Sequence, residues 1–208
     1  LPAMALGFWV LFGAIAEWAH RVKLFEAGRD EVMRRARNLP RSAYGTMAGH
    51  AGVGIMVLGI IGTTAWQTEV VQAVKPGERI TVAGFDVAFT GTAPRKGPNY
   101  EETFGRFDIT RGGKAVTQIE SSKRLYDAPK QATTEAGIHV SLFGDLYVVL
   151  GDETGDGAFA VRGYFNPLVR LIWIGCMIMA FGGLLSLTDR RLRVGAPKRR
   201  APAAVPAE

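Results

Sequence analysis

The sequence predicts an integral membrane α-helical chain with three spans plus a small all-β domain, a barrel or sandwich, in the periplasm. Three observations carry this reading. The stretches Leu1 to Ala16, Ser42 to Gln67 and Leu171 to Thr188 hold almost no charge. The bases crowd beside those stretches. The long segment between the second and third alternates apolar and polar residues with a period of two.

A hydrocarbon core of about 30 Å needs roughly 20 apolar residues in a helix. The second and third stretches reach that length with their uncharged or aromatic flanks. The first is shorter, and it opens at Leu1 without a methionine. The sequence is therefore expected to be the C-terminal part of a larger membrane protein. In order, the expected segments are a truncated transmembrane helix over 1–19, a basic cytoplasmic interfacial loop over 20–41 and a transmembrane helix containing His50 over 42–67. They continue as a periplasmic β domain over 68–163, a transmembrane helix over 164–188 and a basic cytoplasmic tail over 189–208 with a disordered Ala/Pro-rich end.

The sides follow from charge. His20 to Arg41 carries seven bases against three acids, and Arg190, Arg191, Arg193, Lys198, Arg199 and Arg200 follow the last span. Short basic loops stay in the cytoplasm. The segment from Thr68 to Gly163 holds eleven bases and thirteen acids, which places it outside, in a bacterial periplasm across the inner membrane. The net charge of +6 is thus an orientation signal beside membrane spans, and no nucleic-acid partner is expected. A composition of 48% hydrophobic and 21% charged residues excludes a disordered chain. The single cysteine, Cys176, lies in the third span, so the exported segment has neither a disulfide nor the CxxCH motif of covalent haem. His20, His50 and His139 fall in three different segments, which argues against zinc.

The first span ends near Glu17 and Trp18, a tryptophan suited to the headgroup level. Val22, Phe25, Val32, Met33 and Ala36 then form a one-sided stripe that predicts an interfacial helix, broken by Asn38 and Pro40. The second span is rich in small residues, which permit close approach of a helix or a flat ligand. In the exported segment, Ile80 and Val82, a slip at Gly84, and Phe85, Val87 and Phe89 predict strand, turn and strand. Gly112 and Gly113 separate two alternating runs, a hairpin signal. DLYVVLG and AFAVRGYF form another pair around DETGDG, read as a turn, because the glutamate that an EF-hand needs at position twelve is here Gly163.

His50 lies eight residues after Ser42, about 12 Å along a helix axis and well inside the membrane. Ionisable groups at that depth usually face a bundle interior and mark sites. Thr46, Met47, Val53, Gly54 and Val57 share its face at three- and four-residue spacing. Such an apolar face with a side chain missing at Gly54 suits a porphyrin, with Met47, Val53 and Val57 covering it and the imidazole ligating iron. It suits helix packing too. His139 reads as an ordinary strand residue, His20 and Arg170 as interfacial, Cys176 as a packing residue.

Several segments resemble one known family. AGHAGVGIMVLGI around His50, GPNYEETFGRFDITRGG, TTEAGI, GDLYVVLGD and VRGYFNPLVRLIWIGCMIMAFGGLLSLTDRRLR are similar to the C-terminal region of CcmF, the haem lyase of cytochrome c maturation system I. The resemblance runs from about Tyr44 to Arg193. It implies an activity in which haem is taken from a haem chaperone and attached to the CxxCH cysteines of apocytochrome c, together with other maturation subunits. It implies that His50 is an axial ligand of a non-covalent haem b, shared with an upstream part missing from this chain. No catalytic residue is assigned, and this chain alone is expected to be inactive as a lyase. One departure stands out: ESSKRLY puts Ser121 and Ser122 where the family pattern has Pro-Glu-Lys-Arg before the tyrosine. The competing reading is a membrane-tethered interaction or scaffold module without cofactor. A transporter half lacks the expected inverted repeat.

Overall fold

A computed structural model describes residues 2–189; the expected disordered end lies outside the described residues. The chain divides into two compact units. One runs up to Val57 and resumes at Trp173, and the other runs from Leu58 to Ile172.

The first unit is helical. Helices α1 (Pro2–Val22), α3 (Arg41–Ala65) and α4 (Val169–Leu187) are each long and apolar enough to cross a membrane. In lipid a backbone must satisfy its own polar groups, and these continuous apolar sequences do so as helices. Helix α1 continues past Trp18 to Val22, and in its last turns Arg21 reaches back to Glu17 (Nη2 to Oε1, 2.7 Å). It stops where Lys23 takes a φ of 56°. The expected interfacial helix is consequently split: Val22 is fully buried at the end of α1, Phe25 is exposed in the turn, and only Arg29–Asn38 form α2.

Helices α3 and α4 touch at glycine. A Cβ on Gly52 would stand 2.6 Å from the carbonyl oxygen of Gly175, and one on Gly175 would stand 2.5 Å from that of Gly52. Gly45 and Gly182 repeat the arrangement two turns away. Cys176 packs there as expected, its Sγ 3.7 Å from Met56 Sδ. At the start of α3, the Ser42 amide and hydroxyl both donate to Asp189 Oδ2 at 3.1 and 2.7 Å. That carboxylate satisfies one of the amides a helix start leaves unpaired and complements its positive dipole end.

The second unit is a β-sandwich. Strands β1 (Thr68–Val74), β9 (Ala158–Pro167), β8 (Gly144–Gly155) and β7 (Gly137–Val140) form one sheet in that order. Strands β2 (Arg79–Val82), β3 (Phe85–Lys96), β4 (Tyr100–Arg111), β5 (Lys114–Tyr126) and β6 (Ala132–Glu135) form the other. All pairings are antiparallel. The alternation at Ile80, Val82, Phe85, Val87 and Phe89 supplies five of the buried side chains of the core. Between the sheets, Phe85 meets Phe165 and Phe89 meets Phe159 at ring separations of 5.9 and 5.7 Å. Strand β9 continues to Pro167, past Gly163, so α4 begins only at Val169.

The sandwich and the helix ends next to it are laced together. Thr63 Oγ1 donates to the Pro167 carbonyl at 2.9 Å, and Gln67 Nε2 to Asn166 Oδ1 at 2.7 Å. A Cβ on Gly62 would meet Leu168 Cδ1 at 2.8 Å.

With its core closed within one contiguous segment and no cysteine in it, a polypeptide covering residues 65–167 should fold alone. Its circular dichroism should be β-type and indifferent to reductant; a helical or reductant-sensitive spectrum would contradict the assignment.

Candidate functional site

Helix α3 presents three faces. One carries Gly45 and Gly52 against α4. A second carries Gly54, beside which a Cβ would stand 2.8 Å from the Leu11 amide nitrogen and 2.9 Å from the Gly7 carbonyl oxygen. The backbone of α1 therefore takes the space that the sequence suggested for a flat ligand. Met47, two turns earlier on the same stripe, is buried as well. The third face is open. It holds Thr46, His50, Ile60 and Thr64, all exposed, with Val53 and Val57 half-buried between them. The structure thus separates the candidate residues, leaving His50 with Val53 and Val57 and giving Met47 and Gly54 to the buried side of α3.

His50 is the tenth residue of α3, about 14 Å from its first at 1.5 Å per residue. No group of three or more His, Cys, Asp or Glu side chains able to hold a metal occurs among the described residues. His139 lies on β7 as expected, its ring edge-on to Phe85 at 5.9 Å. His20 lies exposed in the last turn of α1. Arg170 Nε stands 3.9 Å from Asp145 Oδ1, inside its own unit. DETGDG is a hairpin turn, with Gly155, Asp156 and Gly157 at φ 96°, 51° and 72° and Asp152 paired with Lys123.

A second constellation, unread in the sequence, lies in the sandwich. The Glu102 side chain on β4 is fully buried. It accepts from Arg95 Nε on β3 at 2.5 Å, and from Arg124 Nε and Ser122 Oγ on β5, both at 2.8 Å. Burial pushes its carboxyl up, but Arg124, Ser122 and Arg95 together outweigh that and hold it down to about 2. The same carboxylate raises Arg124, whose guanidinium also lies 4.7 Å from the centre of the Tyr100 ring. Arg95, Lys96, Lys123, Arg124 and Asp152 line an open groove of about 690 Å³. Its arginines are engaged internally, Arg95 also with Glu120 and Arg124 also with Glu135. This is a structural network. Ser121 and Ser122, the departure noted above, explain themselves: Ser121 Oγ accepts from the Leu150 amide at 2.9 Å and donates to the Glu135 carbonyl at 2.7 Å, tying the two sheets. That departure was the one signal in the sequence pointing here.

Three membrane-capable helices joined to a sandwich inserted between two of them define a membrane protein with a β domain. Residues 65–167 match the family model described as the CcmF C-terminal beta-sandwich. The cytochrome c-type biogenesis protein CycK of Rhizobium meliloti is 45% identical over 196 residues, 94% of this chain and 29% of that protein. The cytochrome c-type biogenesis protein CcmF of Escherichia coli is 34% identical over 203 residues, 97% of this chain and 30% of that protein. A solved structure of the cytochrome c heme lyase CcmF shares the fold, with a TM-score of 0.63 and 21% identity over 91% of this chain and 34% of that one. The chain belongs to the CcmF family of cytochrome c-type biogenesis proteins. It spans less than a third of the length of these curated relatives.

Proposed function

We propose that this chain is the part of a cytochrome c maturation haem lyase that supplies one axial ligand of a membrane-embedded haem b and carries a periplasmic docking domain. The observation that carries the reading is His50: an imidazole deep in a membrane helix, exposed on the single face of α3 that neither α1 nor α4 covers. A polar ring at that depth is costly without a partner.

The residues fit one side of a haem site. The imidazole offers one nitrogen to iron, and Val53 and Val57 flank it on the open face, an apolar wall for a macrocycle. Gly54 and Met47 belong to helix packing and take no part. Of this chain's described residues, His50 is the one proposed to hold the iron, and any further protein ligand would come from another part of the natural-length protein. A haem b held there would supply a redox-active iron. The chain's own part is to hold the imidazole at fixed depth, through the reciprocal glycine contacts of α3 with α4 and of Gly54 with α1.

In the natural-length protein, His50→Ala should lower bound haem b and cytochrome c yield by roughly tenfold or more, since even outer-shell partners of metal ligands are worth that much. Insertion should persist, because alanine is at home in a span, and added imidazole should restore part of the haem. Normal haem content and normal cytochrome c yield would favour the scaffold reading, in which His50 only packs against another helix.

The basic segments around α2 and after α4 support a topology with those ends in the cytoplasm and the sandwich in the periplasm, across the bacterial inner membrane. There the sandwich meets the haem chaperone, apocytochrome c and other maturation subunits. Alkaline phosphatase fused near Asp127 should be active, and fused after Arg193 inactive. The opposite pattern would overturn this topology.

A further inference from the structure

We propose that the turn between β7 and β8, with Leu142 and Phe143 at its tip, is a lipid anchor that seats the sandwich in the headgroup and upper acyl region of the bilayer. This rests on α3 and α4 spanning the membrane. Leu142 is 73% and Phe143 75% exposed, more than any other large apolar side chain of the sandwich. Scattered exposed leucines are ordinary, but two adjacent large apolar side chains at a tip are a patch. Ile138 and Val140, also exposed, continue it along one face of β7 at the two-residue period of a strand.

The height of the tip is fixed by the backbone. The Leu168 amide, one residue before α4, donates to the Phe143 carbonyl at 3.0 Å. Gly144 stands opposite Pro167 in the β8–β9 ladder. Inside the turn, the Ser141 hydroxyl donates to the Gly144 carbonyl and the Ser141 amide to Asp145 Oδ1 at 3.2 Å, so the tip has one shape. Across the junction, Trp66 at the end of α3 is 52% exposed, and its neighbour Gln67 is tied to Asn166. Leu142, Phe143 and Trp66 therefore sit at the level where two spans meet the sandwich, the depth at which amphipathic aromatic rings collect.

The charge at this end favours phospholipid over a protein groove. Arg111 lies 4.5 Å from the centre of the Phe85 ring, and Phe85 in turn touches His139 and Phe165, which places this exposed arginine at the same end. Lys114, its partner across the β4–β5 turn, is exposed too. Cations beside an apolar tip meet phosphates while the tip enters the acyl boundary.

The test places the photo-reactive analogue p-benzoylphenylalanine at Phe143 of the natural-length protein in its native membrane, followed by irradiation and mass spectrometry. A phospholipid adduct is expected, several-fold above that from the same analogue at Leu125. Leu125 is exposed but lies two residues beyond Lys123, which pairs with Asp152, roughly 30 Å from the tip at 3.3 Å per residue. An adduct with a protein at position 143 would show a polypeptide partner and overturn the anchor, and so would no adduct above the Leu125 background. Carbonate extraction of the same membranes tests the spans separately: release of the protein would refute the spanning helices whatever the adduct.

Discussion

Replacing Glu102 with alanine should destabilise the sandwich by about 3 kcal/mol, the lower end of what removal of one partner from a buried ion pair costs. The carboxylate is fully buried and shared by Arg95, Arg124 and Ser122. Its loss leaves the Ser122 hydroxyl, itself on a buried residue, without its acceptor, and removes the charge that faces both guanidinium groups. The lower end applies because Arg95 and Arg124 retain access to water, with side chains 48% and 26% exposed, and Arg95 keeps Glu120. The effect should depend on pH with a definite sign. The folded carboxyl titrates near 2 and its ordinary value is 4.5, so its contribution is complete above about 4.5 and is lost as pH falls toward 2. Thermal unfolding of the 65–167 polypeptide should show a gap between parent and Glu102→Gln that is wide at pH 7 and narrows below pH 4.5. A gap constant down to pH 2 would mean that the carboxylate stabilises nothing through its charge.

Gly52→Val should drive α3 and α4 apart. The first carbon of the new side chain would lie 2.6 Å from the Gly175 carbonyl oxygen, 2.7 Å from Met179 Cγ and 2.9 Å from the Met179 amide nitrogen. Two of these three are backbone atoms, which cannot rotate away. Overpacking of this kind costs about 1–3 kcal/mol even in cores that can adjust, and here relief requires separating two helices. The single cysteine supplies the readout. In a Met56→Cys background, oxidation should join position 56 to Cys176, whose sulfur already lies 3.7 Å from the Met56 sulfur. Adding Gly52→Val should abolish most of that cross-link. Undiminished cross-linking would show that the helices do not meet at these glycines.

What could be read from the sequence follows physical lines. Ile80, Val82, Phe85, Val87 and Phe89 announced β2 and β3 because each strand has one face in the core, so burial prints a period of two. Gly112 and Gly113 announced the β4–β5 turn because both take positive φ, 55° and 75°. Strand β1 was silent, since it is an edge strand in which only Val74 is buried, and β6, an ATTE with no buried residue, carries no apolar alternation. The position of His50 along α3 was legible because it depends on counting residues from the helix start. The fate of Gly54 was not, since it depends on where α1 lies, and a small residue accommodates a helix or a ligand equally well. Likewise Glu102 reads as one of many surface acids until three strands bring Arg95, Arg124 and Ser122 around it.

The lacing at the base of the sandwich bears on how the polypeptide is put together. Thr68 stands opposite Phe165 in the β1–β9 ladder, and Gln67 is bonded to Asn166. The chain thus leaves α3 and returns to α4 at neighbouring points, although nearly a hundred residues intervene. Viewed as gene architecture, the domain is a cassette inserted into a two-helix hairpin, whose own connection needs only about 2–5 residues. Its two insertion points stand side by side, so the span between them does not depend on how much chain the cassette contains.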